Sequence, residues 1–476
     1  MTVPWWGLIP FVIMLGSIAV LPLIEQTKHL WEDVRFQLGL ALVLGLPVAV
    51  WVWFLLGPTV VFHTVVEYVQ FISLLFALFV VAGGLFMSGD IRATPRNNTV
   101  ALTIGGVLAS FIGTTGAAML LIRPLLNINK ERKLRVHTVV FTILIVANNG
   151  GLLTPLGDPP LFLGFLRGVP FTWTFTMWPE WLFINSLLLI TYFALDRRAY
   201  RSEGVVDLIR DDSEVVPLRF LGKRNLIWFV VIIVAVALVP SMDLHAIEEG
   251  HAAWSAYVPW RELIMFAAAG ASYFFSNRTV RYENNKFTWA PIAEVAALFI
   301  GIFLTMMPAL RYLAEVAPRL PLNEITLFIF TGGLSSVLDN APTYATFFEM
   351  AAQLPGDPRI ANVPEIYLLA ISLGAVTCGA MTYIGNGPNF MVKSVADSAG
   401  VNMPSFGGYI VWTSRYLLPI LVAMVCLFIA QPLWAKAIGV VITLLILAQA
   451  FLNIRGTRRA EETLAAAIGS QYNKQG

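Results

Sequence analysis

The chain has 476 residues, of which 57% are hydrophobic and only 13% charged, with a formal net charge of +2 and a mean hydropathy of +0.73. A soluble globular chain carries about 25% charged residues, so this composition excludes one. Repeated apolar runs of roughly 20 residues point instead to a polytopic α-helical membrane protein. The basic residues are scattered over short loops, which excludes a nucleic-acid footprint, and Cys378 and Cys426 both fall in apolar runs and imply no disulfide framework.

In chain order, the stretch 5–24 lacks a positive n-region and is long for the apolar h-region of a signal peptide, so it reads as a retained first helix. Spanning helices are expected near 4–24, 35–56, 62–88, 134–168 and 177–196. Between the third and fourth, 98–125 reads as two short apolar arms around Gly113-Thr114-Thr115-Gly116, a re-entrant hairpin. A polar connector, 197–223, contains RRAYRSEG and IRDDSE. The order then repeats, with helices near 224–241, 258–277 and 290–313, a hairpin at 324–352, and helices at 364–395 and 408–430. One extra helix at 432–453 precedes a charged tail with Arg455, Arg458 and Arg459. Tryptophans near segment ends, among them Trp5, Trp6, Trp173, Trp178, Trp260, Trp289 and Trp434, suit an aromatic belt.

Two stretches organise this pattern: TPLGDPPLF at 154–162 and TYIGNGPNF at 382–390. Each places a Gly/Pro break inside an apolar run, and a lipid-embedded backbone tolerates such a break only around a cavity or inside protein. Matching breaks in two halves of one chain point to a transporter's binding site. Glu67 aligns with Glu294, Ser110 with Ser336, Thr114 with Asn340, Thr154 with Thr382 and Asp158 with Asn386, each about 227 residues apart. Five crossings and one hairpin per half is an odd count, so the second half runs inverted. The expected fold is thus all-α, with two inverted-topology repeats (1–196 and 224–430), the cytoplasmic connector 197–223, discontinuous helices at the midplane, and an extra helix and tail over 431–476. Most Lys and Arg fall on one side if the N-terminus lies outside, while the opposite loops, such as HAIEEGHAA, are nearly free of positive charge. This predicts an inner-membrane protein with a cytoplasmic C-terminus.

Asp158 precedes Pro159-Pro160, and Asn386 lies two before Pro388. Both residue types are good N-caps and Pro suits the first helical turn, so capping is one reading. The other is that the Asp158 carboxylate, costly at membrane depth, binds a cation. In the second hairpin, Ser336, Asp339, Asn340 and Thr343 supply oxygen ligands of the kind a hard cation takes, whereas the first offers only the neutral Ser110, Thr114 and Thr115. Asn149, Thr154, Thr382, Asn386 and Asn389 at the breaks complete the candidate cation or substrate site. Bonding of the Ser and Thr hydroxyls to the preceding turn is the alternative for those residues. Asp158, Asp339, Glu67 and Glu294 are candidates for proton coupling, although both glutamates lie near membrane edges, where a packing contact suits them equally. Arg415 can snorkel, neutralise a carboxylate or touch substrate. All five His fall in or near loops, so no buried His is expected.

VLDNAPT around Asp339-Asn340 and TPLGDPP around Asp158 resemble the Asp-Asn-x-Pro and Pro-(Ile/Leu)-Gly-Asp motifs of NhaD-type sodium/proton antiporters. Nearly the whole chain is similar to the superfamily that joins these with arsenite permeases and with citrate and dicarboxylate carriers. The resemblance implies inverted repeats, re-entrant hairpins, a homodimer in the lipid bilayer, and Na+ at Asp158, Asp339 and Asn340. The Ser-Asn-Thr signature of the dicarboxylate carriers is absent from both hairpins. The expected activity is sodium(lithium)/proton antiport by alternating access, with no cofactor beyond transported or coupling Na+ and H+. A sodium- or proton-coupled citrate or dicarboxylate symporter is the alternative, for which helix N-termini at the hairpins could bind the anion. An intramembrane enzyme would need a nucleophile–base or metal constellation that the sequence does not offer.

Overall fold

The computed structural model describes residues 3–31, 33–203, 215–242, 247 and 254–472. After a short 3-10 turn, α1 (Ile9–Val20), α2 (Glu25–Trp31), α3 (Val34–Leu56) and α4 (Pro58–Ala82) lead to a strand, β1 (Phe86–Asp90). The first hairpin is α5 (Pro95–Ile112) and α6 (Thr114–Ile128), and the first broken helix is α7 (Val136–Ile145) and α8 (Pro159–Leu166). Next come α9 (Trp178–Arg201), β2 (Val216–Leu221), α10 (Asn225–Leu238), α11 (Trp260–Phe275) and α12 (Ala290–Val316). The second hairpin is α13 (Glu324–Ser335) and α14 (Asn340–Ala352); the two-residue strands β3 (Arg359–Ile360) and β4 (Val363–Pro364) separate it from the second broken helix, α15 (Glu365–Cys378) and α16 (Gly387–Ser398). The chain ends in α17 (Phe406–Tyr416), α18 (Leu418–Met424) and α19 (Leu433–Tyr472).

Among the described residues, 6 helices are long and apolar enough to cross a membrane, or 7 if α17 and the following segment to Ile429, bent by 40°, form one span. The exposed surface of these helices is rich in large apolar residues such as Val43, Phe54 and Leu444, as lipid contact requires. This is a multi-pass membrane protein.

Several expected boundaries move. The helix expected at 62–88 ends at Ala82, because Gly83-Gly84 interrupts it and β1 then pairs antiparallel with β2 of the connector. Asn225 and Asn285 donate to the carbonyls of Gly83, Gly84 and Leu85, and the fully buried Arg281 donates to that of Val80, so α4 ends on side-chain donors. The polar connector therefore begins later than expected, since α9 continues to Arg201, and it contains a strand. The expected tail is helical, with α19 running to Tyr472. Trp173, expected in the aromatic belt, is buried and donates to Glu365. IRDDSE, most of the loop 245–253 and the side chains of Arg458 and Arg459 lie outside the described residues.

The helices pack as two groups. α3, α4, α10, α11 and α12 pack on one another, as do both hairpins, both broken helices and α9. Contacts of α12 with α14 and of α4 with α6 join the groups.

Candidate transport site

Both hairpins and both breaks are built by close backbone approach. At the first hairpin, Gly113 with φ +82° connects α5 directly to α6, a conformation that a β-carbon disfavours. At the first break, Gly157 lies so close to Gly151 that an added Cβ would stand 2.0 Å from the Gly151 carbonyl oxygen. At the second, a Cβ on Gly385 would stand 2.6 Å from the Gly379 carbonyl oxygen.

The hydrogen bonds tying hairpin to break occur in matched pairs. Thr154 donates to the Ser110 carbonyl and Thr382 to that of Ser336. The Ser110 hydroxyl donates to Gly150 O, and Ser336 donates to Cys378 O at 3.1 Å. Trp181 donates to Gly150 O and Tyr409 to Ala380 O. The halves also interlock: α8 packs on α14 of the other half's hairpin, and α16 packs on α6.

Asp158 occupies the N-cap position of α8 without capping it. The reason is local: Pro159 and Pro160 have no N–H, and the Leu161 N–H is taken by the Asp158 carbonyl at 3.1 Å. The carboxylate is released to accept from Thr114 Oγ1 at 2.9 Å, Asn340 Nδ2 at 2.6 Å and Asn386 Nδ2 at 3.3 Å. Asn386 likewise stands at the N-cap of α16 without capping it. Thr114 opens α6 and Asn340 opens α14, so four helix N-termini, two from each half, meet at one fully buried carboxylate. Each terminus carries partial positive charge, worth up to ~2 kcal/mol to an anion in a buried setting. Among the described residues, no Lys, Arg or His is ion-paired with Asp158.

Asp339 behaves differently. It caps α14 through Ala341 N at 3.0 Å and is half-buried. The Asn340 side chain, one residue on, touches Asp158, and its buried Oδ1 has no hydrogen-bond partner among the described residues. Thr343 bonds back to the Asp339 carbonyl within its own helix, and Thr115 lies half-buried on the first turn of α6. Asn149 is fully buried and donates to Leu144 O, while Asn389 donates to Gly379 O and Thr382 O.

Glu67 and Glu294 stand away from this cluster: Glu67 is ion-paired with Arg167 at 2.8 Å and Glu294 accepts from Gln37 at 3.0 Å. Arg415 is exposed beside Tyr416. The expectation of no buried His needs correction. His137 is buried at the start of α7 with Nε2 at 2.8 Å from Asp196, because α9 extends far enough to cover it. Asn148, which the sequence reading passed over in favour of its neighbour Asn149, lies between the two breaks. It accepts from Asn386 at 3.1 Å and donates to Asn389 at 2.7 Å. The Asn148-Asn149 doublet before Gly150-Gly151 was the available signal.

The chain is 25% identical over 325 residues to an "Uncharacterized transporter" of Mycobacterium tuberculosis, covering 65% of this chain and 71% of the relative, with the same figures for its Mycobacterium bovis counterpart. It is 24% identical over 328 residues to a "46 kDa membrane protein" of Mycobacterium leprae, covering 65% and 71%. The family described as "Putative citrate transport" matches residues 1–429, and the chain belongs to that family.

Proposed function

We propose that this protein is a secondary active transporter carrying citrate or a related di- or tricarboxylate, coupled to Na+ or H+ at Asp158 and working by alternating access between two inverted repeats. The observation that carries this reading is the convergence of four helix N-termini and three side-chain donors on one buried carboxylate. Donors so arranged suit anions. A polyanionic substrate cannot share the site with a charged Asp158 at low dielectric, so a cation or proton that neutralises Asp158 admits the substrate. That electrostatic requirement is the coupling. The family match supports the substrate class, and the paired hydrogen bonds at the breaks support the repeats.

A second reading, Na+ or Li+ exchange for protons, draws on one specific observation: among the described residues no cationic side chain pairs with Asp158. A carboxylate that Na+ and H+ neutralise in turn suffices for exchange. Purified protein in liposomes separates the two readings. Symport is expected to show labelled citrate uptake that requires Na+ or an inward proton gradient. Collapse of a preset pH gradient by Na+ without any citrate uptake would overturn symport and establish exchange.

A further inference from the structure

The geometry points to Asn148 as a positioning residue for the Asp158 site: it aligns the Asn386 amide so that its N–H group faces the carboxylate. This rests on the coupling role proposed for Asp158. The Asn386 Nδ2 has three acceptors in reach, Ala147 O at 3.2 Å, Asn148 Oδ1 at 3.1 Å and Asp158 Oδ1 at 3.3 Å. Turning this amide over would set its oxygen against Ala147 O and Asn148 Oδ1, so Asn148 supplies the side-chain half of the restraint on its orientation. Asn148 is itself held from the other side, because its Nδ2 donates to Ile143 O at 2.9 Å and to Asn389 Oδ1 at 2.7 Å. Asn389 in turn donates to Gly379 O and Thr382 O at the second break. One amide thus joins the broken helix of the first half to that of the second, and all four residues of the chain Asn389, Asn148, Asn386 and Asp158 are fully buried.

The Asn340 amide lacks this restraint. Its Nδ2 also serves Asp158, but its Oδ1 has no partner among the described residues. Of the two amides on the carboxylate, Asn340 is therefore free to turn its oxygen toward an arriving cation, and Asn386 is held as a fixed donor. Losing Asn148 removes one of the two first-break acceptors that hold this donor, loosens its grip on the carboxylate, and tightens cation binding. Asp339, the neighbour of Asn340 in sequence, stays in place in every variant below.

The test is thermal unfolding of the purified protein, titrated with Na+ and with pH, because this readout needs no transported substrate. In the wild type the melting temperature is expected to respond to Na+ or pH, and Asp158→Asn to remove that response. Asn148→Ala is expected to lower the half-saturating cation concentration by about tenfold, on the order of one hydrogen bond to a charged group. Asn148→Ser keeps a hydroxyl able to serve Ile143 O but is too short to reach Asn386, so it is expected to shift the titration in the same direction. In an Asn386→Ala background neither substitution shifts it further. Wild-type affinity in Asn148→Ser, or shifts that add to that of Asn386→Ala, would reduce Asn148 to a cap of α7 and overturn the inference alone. A wild-type titration that Asp158→Asn leaves unchanged would overturn the coupling role of Asp158 and this inference with it. Should Asn148→Ala not fold, the serine variant and the double variant carry the same decision.

Discussion

Whether a polar residue at a helix start is a cap or a ligand is decided by which N–H groups remain for it to cap. Asp339 has one, on Ala341, and uses it; Asp158 has none, because two prolines follow and Leu161 bonds the Asp158 carbonyl. The sequence TPLGDPP contains that distinction in its second proline, although the residue types alone allow both capping and ligation. The asymmetry leads to a prediction. Asp158→Asn is expected to abolish coupled transport while the protein still inserts and folds, since the amide keeps the shape and part of the hydrogen bonding. Asn386→Asp is expected to impair it too, because it sets a second carboxylate where 3.3 Å now separates Asn386 Nδ2 from Asp158 Oδ1, and like charges at that range cannot both ionise. Gradient-driven uptake in liposomes, normalised to protein inserted, checks both; full activity of Asp158→Asn would remove it from the mechanism. The same scale carries a steric prediction. Gly157→Ala meets backbone at 2.0 Å and Gly385→Ala meets two carbonyl oxygens at 2.6 Å. Both are expected to lower yield or melting temperature strongly, whereas Gly387→Ala, with open space at its Cβ, is expected to be silent.

At the scale of elements, both hairpins and both broken helices were legible because Gly and Pro punctuate apolar runs at membrane length, and few other structures accommodate that. The pairing of β1 with β2 was not legible. β1 is the apolar end of a helix-like run, and its partner β2 comes from a connector that reads as polar, so the pairing depends on tertiary proximity. The charged cluster around Asp196 escaped for a related reason. Asp196 binds Arg132 at 2.6 Å, His137 at 2.8 Å and Asn98 at 3.2 Å, joining α5, α7, α9 and the loop after α6 from positions far apart in sequence. Within that loop, Asp90 beside Lys130 holds the lysine ammonium well above its ordinary range. Removing one partner of a buried charge set leaves the others uncompensated, typically at a cost of about 3–5 kcal/mol. Asp196→Ala is therefore expected to destabilise severely, and Asp196→Asn less, since the amide oxygen can still accept from Arg132. Detergent melting curves of the two variants check this, and equal melting temperatures for Asp196→Ala and wild type would refute it.

At the scale of the whole molecule, the odd number of crossings that the sequence predicts for each half and the bias of Lys and Arg lead to one architectural prediction: the two hairpins open to opposite faces. Family membership speaks for the anion carrier that the sequence reading held as its alternative. Topology is different, because charge bias fixes it before any tertiary contact forms. The loop after α6 is rich in Lys and Arg and exposes Lys133; the loop after α14 exposes Pro355 and Asp357. In a background with Cys378→Ala and Cys426→Ala, Lys133→Cys is expected to react with a membrane-impermeant maleimide only in inverted vesicles, and Pro355→Cys only in intact spheroplasts. The native thiols must be removed because Cys378 is buried and Cys426 partly so, which makes their background labelling conformation-dependent. Labelling of both probes from one face would mean that the halves run parallel. The convergence of α6, α8, α14 and α16 on Asp158 would then have to arise without inversion, and alternating access through an exchange of equivalent halves would no longer describe this protein.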